Sequence, residues 1–389
     1  MLLSKRRINK IKTSWHRLPG KLATIKNLAG RKIADPHFPM VAFKVSGGLG
    51  DHIIAARFIR DFCSTTSIDR YDIYCTKPAI LKWLLSASKK CSLIGDAKAC
   101  NKTLSEKYGL TLNVTTALSI ENYKPAEVSE KFPILPHHIN KIRIHSTKIE
   151  PTIEHHPYLD GYLGHYAALL GYRRHNHLHA MADIRYGGNE IDIPTDESIL
   201  LKLGLKAKSY ITVSNGFDLE FHSDTSKCPT KVYPRHNDVI RHLKRNIPGV
   251  KFIHVGSVAG TPLDECDMNL VNATSLTEVA SLLKHSLHHL DNEGGLVHMA
   301  ASLRTPCTVV FGPTLSSYFG YEENINIAPV ECGGCWWMER DWMSRCIRGF
   351  DSPPCMQNQA PEVIANRIYR YLMESTQTRS EVEKHTSAD

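Results

Sequence analysis

The chain of 389 residues has no acidic side chain before Asp35, while ten lysines and arginines fall between Lys5 and Lys32. That imbalance excludes an ordinary mixed-charge start and leaves a basic arm drawn to anionic surfaces. No apolar run approaches the ~20 residues that a bilayer span requires, which excludes a membrane-spanning helix. Met1 to Ser4 lead into charge rather than into the apolar core of a signal peptide. A cytoplasmic protein is therefore expected. No segment repeats, which removes solenoids and propellers from consideration. Eleven cysteines would suit a secreted disulfide scaffold only in a shorter chain, so most are expected as reduced thiols.

With 42% hydrophobic residues the composition is globular, and the length exceeds one core of usual size, so two domains are expected. The net charge of +9 favours anionic partners in general: sugar nucleotides, acidic lipid surfaces and nucleic acid all qualify. In residues 1–35, Ile8, Ile11, Trp15, Leu18, Leu22 and Ile25 recur at helical steps between basic residues, interrupted at Pro19 and Gly20. The stripe fits either attachment to an anionic membrane or packing against the body or a subunit partner.

Val41 to Val45, the SGGLGD turn and an apolar-faced helix over 52–62 open a doubly wound α/β domain assigned to residues 36–190. Tyr71 to Cys75 and Ser92 to Ile94 read as further strands. From Thr111 to Arg185 the pattern is weaker: Pro125, Pro133, Pro136, Pro151 and Pro157 break it into loops and short helices, and a helix over 162–170 is the clearest element. A second α/β domain, 195–373, starts with a strand over 210–214. Its expected elements are helices over 238–245, 276–284, 296–303 and 361–373, and strands over 251–255 and 308–311. The polar tail 374–389 is expected to be disordered.

Chemistry concentrates at the glycine turns. Gly294 and Gly295 open a helix whose first amide groups and positive dipole end suit an anion, and the Gly295 and Leu296 N–H groups are the nearest donors. The same glycines also suit plain close packing of a β-α-β unit. On the other domain, Gly47, Gly48 and Gly50 surround a helix start at Asp51, which is a candidate general base or a helix cap. Lys231 is a candidate phosphate partner or a solvated lysine. Ser214 and Asn215 end a strand where doubly wound folds place ligand contacts. Asp291 and Glu293 flank the second turn. His298 lies one helical turn on and reads first as a packed histidine. His175, His177 and His179 alternate as on a strand face, and His285, His288 and His289 fall on one helix face, where only adventitious metal binding is expected.

At these residues the sequence resembles glycosyltransferase family 9, the ADP-heptose transferases of lipopolysaccharide synthesis and their relatives. The resemblance rests on Gly50 and Asp51, on Lys231, Val232, Tyr233 and Pro234 in place of Lys-x-Trp-Pro, and on Glu293 to Ala301 in place of Asp-Thr-Gly-Leu-x-His-x-Ala-Ala. Phe311, Gly312, Pro313 and Thr314 complete it. It covers most of the second half and the first strand-turn-helix. It implies the GT-B arrangement of two Rossmann-like domains, a nucleotide-diphosphate sugar (an ADP-sugar by preference), and inverting transfer without a divalent metal. Asp51 would be the base, and Lys231 with the helix after Glu293 would stabilise the leaving diphosphate. The acceptor would be a hydroxyl on a glycolipid, glycan or protein, and nucleic acid is not expected. Glu293 is one methylene longer than the family's aspartate. It either orients donor hydroxyls or braces the turn, with Asp291 near enough to share the role.

The remaining four cysteines form a knuckle over 331–356: Cys332, Cys335, Cys346 and Cys355, with Gly333 and Gly334 between the first pair. Four thiolates at this spacing suit structural zinc, and a four-thiolate iron site is compatible. Relatives that transfer heptose to autotransporter proteins carry an iron-binding cysteine finger in this region, with different spacing. Reduced thiols or a redox pair are the plainer readings. Trp336, Trp337 and Trp342 in the same loop would stack on a ligand or pack the knuckle onto the domain. Two other functions fit the architecture: a sugar-nucleotide epimerase, and a non-catalytic sugar-nucleotide-binding protein, the latter favoured if Asp51 faces away from the second turn.

Overall fold

The computed structural model describes residues 39–156, 160–224 and 228–386, and the side chains of its last helix to residue 375. The basic stripe of residues 1–35 lies outside the described residues. The first sheet has strand order β3-β2-β1-β4-β5: β1 Val41–Val45, β2 Tyr71–Cys75, β3 Cys91–Asp96, β4 Leu110–Val114 and β5 Leu118–Tyr123. Every pairing is parallel except that of β4 with β5. The second sheet is wholly parallel in the order β11-β10-β9-β6-β7-β8: β6 Tyr210–Val213, β7 Lys251–His254, β8 Met268–Asn269, β9 His288–Asn292, β10 Cys307–Val310 and β11 Ile325–Ile327. Buried on both faces, the central strands are mainly apolar: in Val41–Val45 only Lys44 interrupts the run.

Helix α1, Leu49–Thr65, starts three residues before its apolar face does, because the Asp51 carboxylate accepts the Gly48 N–H at 2.9 Å and so caps the first turn. Its Ile53, Phe58 and Phe62 are fully buried. The stretch expected to be loops and short helices instead holds the antiparallel pair β4–β5 and a 21-residue helix, α2, Leu135–His155. Pro136 sits in the first turn of α2, where a missing N–H costs nothing, and Pro151 is accommodated inside it. Helix α3, Gly161–Leu169, follows.

The histidines expected on a strand face lie on helix α4, Arg174–Ala182, so that His175 and His179 share one face, both against Tyr186, and His177 points away from it. His175 stacks on Tyr321, His177 bonds Tyr318, and His179 bonds the Asp61 carboxylate at 3.0 Å. The second histidine group is likewise divided: His285 ends helix α5, Leu276–His285, while His288 and His289 are in β9. Helix α6, Gly295–Ser302, follows β9, and the last helix, α7, runs Pro361–Thr386. It continues through the polar tail expected to be disordered, whose glutamates, lysine and arginine are good helix formers. No described helix is long and apolar enough to cross a membrane.

One apolar cluster joins β1, α1 and α4 to Val297, Met299 and Ala300 of α6. Packing therefore does not divide where the sequence divides. At this seam the fully buried Arg57 of α1 donates to Tyr321 Oη at 2.7 Å, to His298 O at 2.9 Å and to Ser302 Oγ at 2.6 Å. A buried guanidinium is tolerable because these acceptors replace its water.

Candidate functional site

The carboxyl end of β1 leads into the turn Ser46–Gly48 and α1, and that of β9 leads into Glu293, Gly294 and α6. The two turns touch. A Cβ on Gly50 would overlap the His298 ring and lie 3.5 Å from Gly295 Cα, and one on Gly295 would lie 3.2 Å from the Gly50 nitrogen. Two helix N-termini thus converge, each with first-turn amides that lack intrahelical acceptors and a positive dipole end. Among the described residues nothing beyond its own chain neighbours lies within 4 Å of a Cβ built on Gly294, which leaves the approach to this second turn open on their side. Gly47 has φ +113°, and a Cβ there would overlap the Asp51 carboxylate.

Asp51 is held at both oxygens: Oδ2 by Gly48 N–H and Oδ1 by Arg174 Nη2 at 2.8 Å. Its side chain remains 39% exposed while that of Arg174 is 2% exposed. Arg174 also donates to Thr115 O at 3.2 Å, and its Nη1 is buried without a protein partner. Asp160 lies close by, its Oδ2 accepting from Thr116 Oγ1 at 2.8 Å. Burial pushes its carboxyl pKa up, and the Arg174 charge opposes that.

Lys231 is 9% exposed and its Nζ lies 3.5 Å from Glu293 Oε2, so it is not a solvated surface lysine. Burial raises the Glu293 pKa, Lys231 opposes the rise, and the charge of Asp51 adds to it, which places Asp51 and Glu293 in one electrostatic neighbourhood. Glu293 Oε1 also lies 3.8 Å from His298 Nε2. His298 is a packed histidine: its Nδ1 meets Tyr321 Oη at 2.6 Å, and burial followed by the Arg57 and Arg174 charges keeps its pKa far below the usual imidazole value.

Three sequence candidates have side chains committed elsewhere, and a fourth, Leu296, offers only its backbone. Asp291 is buried in β9 against His289 Nε2 at 3.3 Å, with its pKa raised by burial. Ser214 Oγ accepts the Gly216 N–H. The Asn215 amide donates to Thr261 O and Oγ1, and its Oδ1 accepts from Gly260 N–H, so its side chain braces the loop after β7. Leu296 packs its side chain into the core, leaving only its backbone facing the turn. Tyr233, in the family's tryptophan position, is fully buried and donates to Gln359 O at 2.8 Å.

Sequence reading missed Arg174, Asp160 and the pair Lys77–Asp218. Lys77 Nζ meets Asp218 at 3.3 Å, and the Asp218 carboxylate lies 3.6 Å from a Cβ built on Gly48. Arg174 left no signal because it falls in the stretch without clear pattern, beside the three histidines that drew attention instead.

The four knuckle cysteines line one small cavity with Thr230, Pro313 and Trp342. Burial raises Cys335 to about 11 and Cys355 to about 12, and neighbouring thiols add to both shifts. Among the described residues no three His, Cys, Asp or Glu side chains are grouped closely enough to ligate one ion as they stand. Trp342 is 4% exposed, and Trp336 packs edge-on against Phe319, so these tryptophans pack the knuckle onto the body. Gly334 N–H donates to Gly312 O and Trp336 N–H to Pro313 O, so the Gly-Pro-Thr turn is the knuckle's seat.

The model of glycosyltransferase family 9 (heptosyltransferase) matches residues 202–332, which hold Lys231, Glu293 and α6 and stop at the first knuckle cysteine. No curated protein matches the chain. Among solved structures, the ADP-heptose lps heptosyltransferase II of E. coli is 14% identical with a TM-score of 0.52, covering 86% of this chain and 99% of that one. A family 9 glycosyl transferase from Veillonella parvula is 11% identical with a TM-score of 0.56, covering 86% and 98%. The iron-containing dodecameric glycosyltransferase TibC of enterotoxigenic E. coli is 14% identical with a TM-score of 0.55, covering 87% and 80%. At these identities the likeness is one of fold, and the fold is GT-B. Residues 202–332 thus match the glycosyltransferase family 9 (heptosyltransferase) model, and that match together with the fold supports a glycosyltransferase.

Proposed function

We propose that the protein is an inverting glycosyltransferase that moves a sugar, a heptose in the first instance, from a nucleoside-diphosphate sugar to an acceptor hydroxyl. The observation that carries this reading is the contact of the two glycine turns, with the Asp51 carboxylate on one side and the Lys231–Glu293 pair on the other. The donor diphosphate lies at the N-terminus of α6 beside Gly294, with Lys231 and the Gly295 and Leu296 amides as its partners. Asp51 takes the acceptor proton, and the acceptor oxygen attacks the anomeric carbon from the face opposite the diphosphate. The bond from that carbon to the phosphate oxygen breaks, and the nucleoside diphosphate leaves with the electron pair. Arg174 and Gly48 N–H hold the Asp51 carboxylate in one orientation for that transfer. The electrostatic contact of Asp51 with Glu293 argues against a binding protein whose aspartate faces away.

A lipopolysaccharide-like glycolipid is the acceptor we favour, since one structural neighbour is an lps heptosyltransferase. The basic segment 1–35 would then hold the enzyme at the cytoplasmic face of the membrane. The four knuckle cysteines are the donor set for a structural zinc or iron ion. The chemistry fits, since four thiols line one cavity, and closing on an ion requires them to draw together and lose their protons. Metal content of the purified protein, with and without Cys332→Ser, tests that assignment.

The test of the activity is mass spectrometry of the protein incubated with ADP-, UDP- and GDP-sugars, each with and without a glycolipid, glycan or protein acceptor. Sugar transfer accompanied by a released nucleoside diphosphate is expected. An altered sugar nucleotide formed from donor alone would make the protein an epimerase, and no turnover with any donor would leave a binding protein.

A further inference from the structure

We propose that Thr230 is a positioning residue through which the cysteine knuckle holds Lys231 for the donor diphosphate; the inference rests on the donor role given to Lys231 above. Thr230 precedes Lys231 and is 5% exposed. Its N–H donates to Met343 O at 2.8 Å and its Oγ1 donates to Trp342 O at 2.6 Å, both on the backbone of the knuckle. Lysine is a flexible point charge, and its useful placement depends on where its backbone is pinned. Here the pin is not a sheet ladder: Lys231 lies in a turn after β6, and the two Thr230 bonds tie that turn to the knuckle.

The knuckle in turn has little regular structure of its own and is located by its neighbours. Besides its seat on the Gly-Pro-Thr turn, Ser344 Oγ accepts the Ser223 N–H at 2.8 Å, which fixes the end of the loop carrying Asp218. On the opposite side, His165 Nε2 of α3 donates to Gly334 O at 2.6 Å, and Gly161 of α3 lies where any Cβ would overlap Trp336 O. One irregular loop therefore contacts the Lys231 turn, the Asp218 loop and a helix of the first domain. Displacing it displaces Lys231 through Thr230.

The experiment is a double-mutant cycle read by calorimetric binding of ADP, UDP and GDP to the full-length protein, with melting temperature recorded for every variant. Thr230→Val, which keeps the shape and removes the hydroxyl, is expected to weaken binding of the accepted nucleotide about fivefold. Thr230→Ser should restore it. In the Lys231→Ala background, Thr230→Val should produce no further loss, because its effect runs through the lysine. With a donor in hand, the Thr230→Val change should appear mainly in the donor KM rather than in kcat. Additive losses in the cycle, or a lowered melting temperature with unchanged affinity, overturn the proposal while leaving the donor role of Lys231 standing. Unchanged nucleotide binding in Lys231→Ala overturns that role, and this proposal with it.

Discussion

In the first glycine turn, Gly47 has a left-handed φ and leaves the space that the Asp51 carboxylate fills. In the second, Gly294 is extended and faces open space, while Gly295 is pressed against Leu49 and Gly50 of the first turn. One turn is shaped around a carboxylate that its own backbone and Arg174 hold in place. The other presents bare backbone beside an ion pair. The difference suits the proposed roles, proton acceptance for the first and anion binding for the second, and it separates the glycines pressed into packing from one that is open among the described residues.

The largest effect that tests this division is expected from Asp51→Asn. Removing the base should lower kcat about a thousandfold while nucleotide binding is nearly unchanged; near-normal turnover would remove Asp51 from the chemistry. Lys231→Met acts on the other turn and should lower kcat/KM about a hundredfold through loss of donor and leaving-group stabilisation. Its fold should survive, because burial already raises the Glu293 pKa, and the carboxyl left without its partner can take a proton. A thermal melt beside the kinetics checks both halves of that statement.

Paired glycine variants sharpen the comparison within one turn. A Cβ at Gly295 would sit 2.9 Å from Leu49 Cβ, so Gly295→Ala should destabilise the protein by about 1–3 kcal/mol. Gly294→Ala should leave the melt unchanged and weaken nucleotide binding. Equal melts for the two variants would end the distinction between them.

The smallest effect near neutral pH is acid sensitivity, expected in both halves. Burial lowers His177 beside the first turn to about 3, and lowers His288 and His236 in the second domain to about 3 and about 4. Their folded pKa values lie below the unfolded value near 6.5, so the unfolded chain binds more protons as pH falls below that point. Stability should be fully present above about pH 6.5 and should decline below it, each histidine contributing about 1.4 kcal/mol per pH unit until its own folded pKa is reached. Denaturant melts between pH 7 and pH 4 measure the slope, and His288→Asn should reduce it.

Strands such as Val41–Val45 and Cys307–Val310 were legible because strands covered on both faces are mainly apolar, and α5 because Ser275 and Glu278 cap a clear apolar stripe. The stretch from Leu110 to Ala182 was not. Its prolines read as breaks although Pro136 sits in a helix's first turn, and its alternating histidines imitated a strand while tertiary contacts with Tyr318, Tyr321 and Asp61 held them on a helix. Of the site, Asp51, Lys231, Glu293 and the glycines were readable as residue types in a pattern. Arg174 was not, because an ion pair between positions 51 and 174 leaves no local trace.

The sequence by itself determined the two α/β halves, their glycine turns and the cysteine knuckle, since periodicity, backbone freedom and residue spacing are local properties of a chain. Only the tertiary structure decided which glycine is packed, Gly295, and which is open among the described residues, Gly294. It also decided that Asn215 and Asp291 are bound up in bracing contacts, that Glu293 pairs with Lys231, and that the knuckle sits on the Gly-Pro-Thr turn. Each of these depends on what fills the neighbouring space: for the side-chain pairs and the knuckle that is set by packing within the second domain, and for Gly295 by its contact with Leu49 and Gly50 of the first.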